Sequence, residues 1–393
     1  MPESYNVEEG VSALIAMINR LRSGSTSPII VSIAGGSASG KSSIVSARVA
    51  DAFKGESILI TMDDYFKGKS FVDSETAAGR EINFDHPNYI DIALLEQHMQ
   101  ALKASQPIDK PIFSFKTQER MGTEPISPPK VVIVEGIMAL HEQLARVSDV
   151  KAFVDASTHS RVARRLARDL KRTVWTPSFI IGYMGNTLEK MYAKYVGPTM
   201  AFADIVITNN YDPYKETLSS DKRELQIKFK VGEDFKVPYA LAAQLSSQSV
   251  QRDDYYTSEA ADLRKTDEII RIRSEPGKKT FTYKGPRLET QQDFLERASI
   301  SFPIEGDAER GILELYNKRV LSVTKERFVY ITHDGVEVCI DRNVARTENG
   351  KTVSLGHFLN VAVGPGNAHL LDDLRKAMAP HNDPIITASY YNM

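Results

Sequence analysis

The sequence predicts an α/β domain with a parallel sheet covered by helices on both faces, followed by a strand-rich antiparallel domain. In the first half, short apolar stretches alternate with segments of helical periodicity, which is typical of a parallel sheet buried on both faces. Beyond residue 222, apolar and polar residues alternate with period two, as in 224–231, which indicates antiparallel strands. A chain of 393 residues is long enough to build a core in each of two domains.

The elements begin with an amphipathic helix at 8–22, in which Leu14 and Ile18 recur at helical spacing, and a Ser/Gly-rich joint. Strands of the first domain are expected at 28–34, 57–60, 131–134, 152–154 and 204–207. Strands of the second domain are expected at 224–231, 268–273, 279–284, 321–331 and 335–341, with a closing helix at 370–379. We therefore expect an N-terminal helix and joint (1–27), the α/β domain (28–210), a polar linker (211–221) and the second domain (222–393).

The overall charge and composition exclude several classes of protein. The 49 Lys and Arg residues are balanced by 51 Asp and Glu residues, so bulk charge argues against a nucleic-acid-binding protein. Cys339 is the only cysteine, which excludes a disulfide scaffold and fits a reducing compartment. No apolar run is long enough to span a membrane and no secretory signal is recognisable. We therefore expect no membrane association and a cytoplasmic location.

A glycine-rich loop directly follows the first predicted strand of the α/β domain. Residues 35–42 match G-x-x-x-x-G-K-[ST], the loop whose backbone N–H groups cradle phosphates. In this pattern Lys41 contacts the β- and γ-phosphates, and the Ser42 hydroxyl binds Mg²⁺. The predicted ATP-binding residues are Gly35, Gly36, Ser37, Ala38, Ser39, Gly40, Lys41, Ser42 and Ser43.

Two carboxylates follow other strands of the same sheet. Asp63 comes after the second strand and Glu135 ends the third, and ligands of α/β proteins bind at the carboxyl ends of strands. Asp63 can accept the proton of an acceptor hydroxyl or hold the metal, and Glu135 can hold the metal. The structural alternatives are a helix N-cap for Asp63 and a turn residue for Glu135.

Together these segments resemble the uridine kinase and phosphoribulokinase group over residues 28–210. The resemblance is carried by the glycine-rich loop, the Asp63 segment, Asn83-Phe84-Asp85-His86-Pro87, Val134-Glu135-Gly136-Ile137 and an arginine-rich stretch at 161–172. It implies an ATP-dependent kinase that phosphorylates a nucleoside-like small molecule, and a homo-oligomeric assembly. The implied roles are catalytic base for Asp63, ribose contact for Asp85, and metal binding for Ser42, Asp63 and Glu135.

The segment that holds the base and sugar departs from the family pattern. The family's Tyr and His are replaced by Phe113 and Gln118, whereas Arg120 is kept. Together with Asp85, these three residues form the predicted acceptor site. Because a hydroxyl is lost at position 113, discrimination in favour of uridine is expected to fall, and the identity of the acceptor is left open.

The arginine-rich stretch predicts a basic helix. Most of its cations share one face by their spacing: Arg161, Arg164, Arg165, Arg168, Lys171 and Arg172. A basic helix that closes over ATP neutralises charge on the transferring phosphoryl group. Arg168 and Arg172 are therefore predicted to act with Lys41 in catalysis, and the alternative is a solvated basic face.

In the second domain, charged residues occupy alternate positions of several predicted strands. This pattern indicates either the solvated face of a sheet or the polar lumen of a barrel. In a lumen, seven basic residues would bind a polyphosphate chain: Lys228, Lys230, Arg271, Arg273, Lys284, Lys325 and Arg327.

A second resemblance favours the lumen. Glu224-x-Gln226-x-Lys228, Asp253-Asp254-Tyr255-Tyr256, Thr282-Tyr283-Lys284-Gly285-Pro286 and Leu355-Gly356-His357-Phe358 resemble the CYTH, or triphosphate tunnel metalloenzyme, domain over 222–393. The resemblance implies a closed antiparallel barrel with flanking helices and a tunnel that binds polyphosphate or a nucleotide with Mg²⁺ or Mn²⁺. The fusion of the two domains is similar in architecture to plant tunnel proteins.

The metal-binding carboxylates of this second family are only partly kept. Glu224, Glu289 and Asp341 remain, while Gln226, Asn360 and Ala362 stand where the family has carboxylates. An amide or a methyl group cannot hold a hard cation as a carboxylate does. We therefore predict that the tunnel binds its ligand more readily than it hydrolyses it. The alternatives to a kinase function are a pyrophosphate or triphosphate hydrolase in the tunnel, and a sensor in which the tunnel regulates the kinase domain.

Overall fold

The computed structural model describes residues 3–80, 83–172, 174–212, 216, 223–237, 243–258, 262–288, 294–379, 384–386, 388–391 and 393. Contacts divide the chain into two units. The first comprises Met1–Asp169 and Tyr183–Tyr211, and the second comprises Leu170–Gly182 and Asp212–Met393. Residues 170–182 therefore group with the second unit, although the sequence predicts them within the first domain. Most of the predicted linker at 211–221 lies outside the described residues.

A six-stranded parallel sheet forms the centre of the first unit. Its strands are β1 (Glu3–Asn6), β2 (Ile29–Gly35), β3 (Ser57–Thr61), β6 (Val131–Glu135), β7 (Val150–Asp155) and β8 (Ile205–Thr208). They lie in the order β1-β8-β7-β2-β6-β3, and every pairing is parallel. All residues of β2 are buried. The predicted parallel sheet is confirmed.

Helices pack on both faces of this sheet. The helices of the first half of the chain are α1 (Val7–Arg22), α2 (Ala47–Ala52), α3 (Lys69–Ala77), α4 (Ile92–Lys103), α5 (Glu142–Val147), α6 (Thr158–Arg172), α7 (Pro177–Tyr183) and α8 (Glu189–Met191). On one face, Leu14 of α1 packs in a cluster with Val31 of β2. On the other face, Leu95 of α4 packs in a cluster with Ile30 of β2. Successive residues of one strand therefore serve two cores, which is why the strands are apolar throughout.

Two features of the first unit were not predicted from the sequence. β1 adds a parallel strand beside β8, and its four polar residues give no periodic signal. β4 (Ile108–Ser114) and β5 (Glu119–Ile126) form a separate antiparallel hairpin. The hairpin contains the segment predicted to hold the acceptor.

Eight antiparallel strands close into a barrel in the second unit. They are β9 (Arg223–Val231), β10 (Gln244–Thr257), β11 (Ile269–Glu275), β12 (Lys278–Lys284), β13 (Leu295–Pro303), β14 (Lys318–Ile331), β15 (Glu337–Glu348) and β16 (Lys351–Val363). Their order is β10-β11-β12-β13-β9-β16-β15-β14, and β14 closes the barrel by pairing with β10. The predicted antiparallel barrel is confirmed. β10, β13 and β16 were not predicted as strands, and their pairing with neighbouring strands fixes them in the barrel.

Two helices flank the barrel, α9 (Ala308–Leu315) and α10 (Ala368–Met378). α10 packs Leu371 and Leu374 against Ile227 and Leu359, so the predicted closing helix is confirmed. α9 packs against the segment 170–182, where a Cβ on Gly311 would lie 2.7 Å from the Gly182 Cα. Among the described residues, no helix is both long and apolar enough to cross a bilayer.

Candidate active site and phosphate-binding tunnel

The glycine-rich loop connects the carboxyl end of β2 to the helical turn Lys41–Ser46 that precedes α2. Gly35 and Gly40 have φ values of 153° and 89°, which residues with a Cβ rarely adopt. The Ser39 N–H donates to the Gly36 carbonyl oxygen at 3.1 Å, which tightens the loop. The loop has the glycine-dependent backbone that phosphate binding through N–H groups requires.

Asn209, just after β8, supports this loop. Its Nδ2 donates to the Ser39 carbonyl oxygen at 2.7 Å, and the side chain is buried. Arg164 of α6 in turn donates to the Asn209 carbonyl oxygen at 2.8 Å and to its Oδ1 at 3.3 Å. A Cβ on Gly40 would clash with Asn209 Nδ2, so the glycine is needed for the amide to reach the loop.

Asp63 lies in the short turn after β3, where its N–H donates to Thr61 Oγ1 at 3.4 Å. Although Asp63 is exposed at the surface, partial desolvation of its carboxyl raises its pKa. The positive charge of Lys41 opposes this rise, while the negative charges of Glu135 and Asp85 add to it. The structure therefore brings the predicted base close to the loop lysine and to two other predicted site carboxylates.

Ser42 and Glu135 form an oxygen-rich corner beside the loop. The Ser42 hydroxyl donates to Glu135 Oε2 at 2.7 Å, and Glu135 is buried. Hydroxyl and carboxylate oxygens are the donors that Mg²⁺ prefers in proteins. Together with Asp63, these residues fit the predicted magnesium site.

Arg165 of α6 contacts the loop directly. Its Nη1 donates to Ser37 Oγ at 2.9 Å, and its Nε donates to Asp169 Oδ2 at 2.7 Å. Burial raises the pKa of Asp85, and the positive charge of Arg165 opposes that rise. Arg165 thus contacts the phosphate loop and opposes the rise in the pKa of the predicted ribose-binding carboxylate. A fixed positive charge at this place can stabilise negative charge on a bound phosphate.

The arginines predicted to be catalytic are placed differently. Arg168 donates from Nε to Asp169 Oδ1 at 2.7 Å, and 37% of its side chain is exposed. The side chain of Arg172 lies outside the described part of the chain. Arg161 is buried, and its guanidinium carbon lies 3.6 Å from the Tyr192 ring centroid. It lines a small cavity together with Ser37 and Asp85. Catalytic roles for Arg168 and Arg172 remain predictions.

The acceptor segment lies in the β4–β5 hairpin. Phe113 packs against Phe66, with ring centroids 5.4 Å apart. Gln118 is exposed in the turn of the hairpin, with a φ of 58°. Arg120 donates to the carbonyl oxygens of Phe66 at 3.0 Å and Tyr65 at 3.1 Å, so it fixes the turn that follows the predicted base. The structure thus gives Arg120 a positioning contact and leaves the acceptor contacts of all three predicted residues as predictions.

A cavity of about 340 Å³ extends into the barrel of the second unit. Six of the seven basic residues predicted for it line its wall: Lys228, Arg271, Arg273, Lys284, Lys325 and Arg327. Lys230 is exposed and does not line the cavity, which corrects that part of the prediction. The strand register places Lys230 beside Phe358, where the lumen is apolar, so its side chain lies past the polar section. Arg297 of β13 lines the cavity without having been predicted.

The buried carboxylates of this lumen are held by basic residues. Asp253 accepts hydrogen bonds from Arg273 at 2.7 and 2.9 Å and lies 3.5 Å from Lys325 Nζ. Asp341 accepts two hydrogen bonds from Arg327, both at 2.6 Å. Although burial raises the pKa of both carboxyls, the neighbouring cations lower it well below the ordinary value. The carboxylates of Asp253 and Asp341 therefore remain ionised and paired with basic side chains of the barrel.

Among the described residues, the donor set does not fit the predicted second metal in the tunnel. Glu224 is paired with Lys284 at 2.7 Å, and Gln226 donates to Asn360 through their amides. Glu289 lies outside the described residues. Carboxylates held by ammonium and guanidinium groups have few lone pairs left for a hard cation. Within the described ranges, no three His, Cys, Asp or Glu side chains are grouped closely enough to hold a metal ion.

Lys228 differs from the other lumen cations, because it forms no ion pair with any described carboxylate. Its Nζ donates to the Ala388 carbonyl oxygen at 3.0 Å and lies 4.0 Å from the ring centroid of Tyr390. Its residue is 2% exposed, and burial lowers the pKa of Lys228 to about 7, with the charge of Lys325 adding to the fall. An anionic ligand would supply the negative charge that the protein leaves out here.

Sequence reasoning missed several of these residues as site residues. Asn209 follows the carboxyl end of a strand, and Arg165 belongs to the predicted basic face, so a signal existed for both. Asp253 occurs in a segment that already resembles the CYTH domain. Arg297 gave no signal, because its strand was not recognised. Tyr390 reaches the lumen only through the path of the C-terminal chain.

Comparisons with known proteins match two parts of the chain. Residues 30–212 match the phosphoribulokinase / uridine kinase family, and residues 222–382 match the CYTH domain. A uridine kinase from Bacillus cereus (strain B4264) is 38% identical over 187 residues, which are 47% of this chain and 87% of that protein. A uridine kinase from Bacillus thuringiensis (strain Al Hakam) is 37% identical over 187 residues, again 47% of this chain and 87% of that protein.

Two solved structures are also similar to parts of the chain. A phosphoribulokinase from Rhodobacter spheroides is 15% identical and covers 57% of this chain and 88% of its own, with a TM-score of 0.40. A Hippeastrum protein described as having a dominant triphosphatase activity is 13% identical and covers 43% of this chain and 93% of its own, with a TM-score of 0.32. The family matches and the uridine kinase relatives, together with the loop and carboxylate geometry, show that the chain belongs to the phosphoribulokinase/uridine kinase family and carries a C-terminal CYTH domain.

Proposed function

We propose that the first unit transfers the γ-phosphoryl group of ATP to a hydroxyl of a nucleoside-like small molecule. The observation that supports this most strongly is the convergence of Lys41, Asp63 and Glu135 on one cleft at the end of the sheet. Arg165, which touches the phosphate loop and acts on Asp85, adds a fixed positive charge to that cleft.

In this reaction the loop backbone and Lys41 hold the phosphates of ATP. Asp63 accepts the proton of the acceptor hydroxyl. The oxygen of that hydroxyl attacks the γ-phosphorus, and the bond between the γ-phosphorus and the bridging oxygen of the β-phosphate breaks to release ADP. The raised pKa of Asp63 makes it a better base than an ordinary aspartate. Ser42, Asp63 and Glu135 would hold Mg²⁺, which when bound offsets the charge of the phosphates.

The acceptor class is inferred from two kinds of contact. The carboxylate of Asp85 can accept hydrogen bonds from sugar hydroxyls, and its Oδ2 already accepts one from the Tyr183 hydroxyl at 3.4 Å. The aromatic group formed by Phe66, Phe113 and Phe115 offers ring faces for a flat base. Both contacts favour a nucleoside, with uridine as one member of the class to be tested.

Phosphorus NMR of the protein with Mg²⁺, ATP and a panel of nucleosides tests this proposal. We expect a phosphomonoester signal together with ADP, and a loss of about 10²–10⁴-fold in turnover for Asp63→Asn. Asp73→Asn is the matched control, because Asp73 is an exposed carboxylate of α3 paired with Lys69. Full turnover by Asp63→Asn would remove this residue from the role of base. Absence of a phosphomonoester with every nucleoside would refute the acceptor class.

We further propose that the barrel binds a linear oligophosphate or a nucleotide through its phosphates and does not hydrolyse it. Seven basic side chains around one cavity support binding. The pairing of Glu224 and Asp341 with basic groups supports the absence of metal-dependent hydrolysis.

Calorimetric titration with tripolyphosphate in the presence of a chelator tests the role of the barrel. We expect binding without added metal, and at least a tenfold weaker affinity in Lys228→Met. Lys351→Met is the control, because Lys351 is exposed on β16. Metal-dependent release of phosphate that Lys228→Met abolishes would show that the tunnel is a hydrolase instead.

A further inference from the structure

The C-terminal segment extends the barrel wall beside β9. β13 pairs with β9 only as far as Gln226. Beyond that point, the Ile386 N–H donates to the Lys228 carbonyl oxygen at 2.8 Å, and the Lys230 N–H donates to the Pro384 carbonyl oxygen at 3.2 Å. The chain end is therefore hydrogen-bonded to the strand that carries the unpaired lumen lysine.

The next residues of this segment enter the lumen. Tyr390 is 5% exposed, and its hydroxyl donates to Asp341 Oδ2 at 2.8 Å. Its ring centroid lies 4.0 Å from Lys228 Nζ and 4.9 Å from Lys325 Nζ. Tyr391 stacks on Tyr255 of β10, with centroids 5.2 Å apart. Two tyrosines of the chain end thus contact cations and a carboxylate of the cavity.

Apolar side chains pack against these tyrosines. Tyr390 and Tyr391 belong to one buried cluster with Leu321, Val323, Val344 and Phe358, which come from three different strands. On β14, Leu321 and Val323 precede Lys325 and Arg327 on the same face, so the lumen changes from apolar to basic along its length. Tyr390 therefore lies where the basic section of the cavity meets this apolar cluster.

We propose that the C-terminal segment turns the tunnel into a blind pocket that accepts the end of a linear oligophosphate, with Tyr390 as the floor that sets this specificity. The inference rests on the proposed binding of oligophosphate by the barrel. A blind pocket admits a chain end, whereas the interior of a long chain or a ring has no end to insert.

The positive charge beside the floor also favours the end of the phosphate chain. A terminal phosphoryl group carries close to two negative charges near neutral pH, as phosphomonoesters do, whereas an internal one carries one. Lys228 is the lumen cation without a carboxylate partner among the described residues, and it contacts the floor residue Tyr390. The ammonium group of Lys228, next to the floor of the pocket, would thus bind the terminal phosphate, which is the most highly charged one.

The test compares three ligands by calorimetric titration: tripolyphosphate, cyclic trimetaphosphate and a long linear polyphosphate of uniform length. For the intact protein we expect at least tenfold weaker binding of trimetaphosphate than of tripolyphosphate. We also expect saturation of the long chain at no more than one protein per chain end.

Three variants separate the floor from the general charge of the barrel. Tyr390→Ala and deletion of residues 388–393 should open the pocket, so that trimetaphosphate binds within a few-fold of tripolyphosphate or the long chain binds additional proteins. Tyr390→Phe keeps the ring and should keep the discrimination. Tyr256→Ala changes the neighbour of Tyr255 on the opposite face of β10, and it should behave as the intact protein does. Circular dichroism establishes that each variant is folded.

Equal affinities of the intact protein for tripolyphosphate and trimetaphosphate would overturn the blind pocket while leaving the binding role of the barrel in place. Full discrimination by folded Tyr390→Ala would overturn the role of Tyr390. Failure of the intact protein to bind any of the three phosphates would overturn the proposed role of the barrel, and this inference with it.

Discussion

Replacement of Lys228 by methionine should stabilise the second unit while weakening its binding of phosphates. A lysine in an unfolded chain has a pKa of about 10.4, and burial lowers the pKa of Lys228 to about 7. At about 1.4 kcal/mol per pKa unit, this difference destabilises the folded protein by about 4 kcal/mol at pH 7. Loss of the contact between the ammonium and the Tyr390 ring costs about 1 kcal/mol, and loss of the hydrogen bond to the Ala388 carbonyl oxygen costs about 1 kcal/mol more. The expected net gain in the free energy of unfolding is about 2 kcal/mol.

The sign of the pH dependence follows from the direction of the shift. Because the folded pKa of Lys228 lies below the unfolded one, the unfolded chain binds more protons between pH 7 and about 10. The stability of the native protein therefore rises with pH through this window. The advantage of Lys228→Met should be largest at or below pH 7 and should disappear as the pH approaches about 10.

Urea denaturation at several pH values measures this difference. Trp175 is the only tryptophan and lies in residues 170–182, which group with the second unit, so its fluorescence reports on that unit. Lys351→Met, the exposed control, should leave the midpoint close to that of the native protein. Lower stability of Lys228→Met at pH 7, or a difference that does not narrow as the pH rises, would refute the reasoning.

Three further results are expected. Arg165→Met should lower kcat by about 10²-fold or more, while Arg146→Met, at an exposed position of α5, should have a much smaller effect; equal losses would contradict the contact assigned to Arg165. Gly40→Ala should weaken ATP binding in a direct titration, because its Cβ would clash with the amide that supports the loop and its φ is 89°; native affinity would show that the loop tolerates the side chain. The affinity for tripolyphosphate should fall as the pH rises above 7, because the pKa values of Lys228 and Lys325 are both lowered to about 7 and both ammonium groups lose their charge. A steeper fall of affinity with pH in Lys228→Met than in the native protein would contradict this origin.

Local patterns in the sequence were enough to predict much of the fold. The phosphate loop depends on glycines and on one lysine that are adjacent in the chain, so its motif is visible without tertiary information. The strands of the parallel sheet are apolar throughout because both faces are buried, as Ile30 and Val31 show. β13 lacked such a pattern, and Arg297 was missed with it.

Contacts between distant segments decided the details of both sites. Helical spacing predicted a basic face on α6, but only the packing of the helix shows that Arg165 reaches Ser37 while Arg168 turns to Asp169. Strand alternation predicted a row of lumen cations, but only the strand register pairs Asp253 with Arg273 and Asp341 with Arg327. Barrel closure then brings Lys325 Nζ within 3.5 Å of Asp253.

The sequence by itself determined the two kinds of domain, the phosphate loop and the set of charges available to the tunnel. Only the tertiary structure decided which of those charges neutralise one another and where the lumen ends. The physical reason is that the pairing of charges joins residues as distant in the chain as Asp253 and Lys325. The contact of Lys228 with the Ala388 carbonyl oxygen joins residues 160 positions apart. Such contacts are fixed by strand order and by the path of the C-terminal segment, and neither leaves a periodic signal in the sequence.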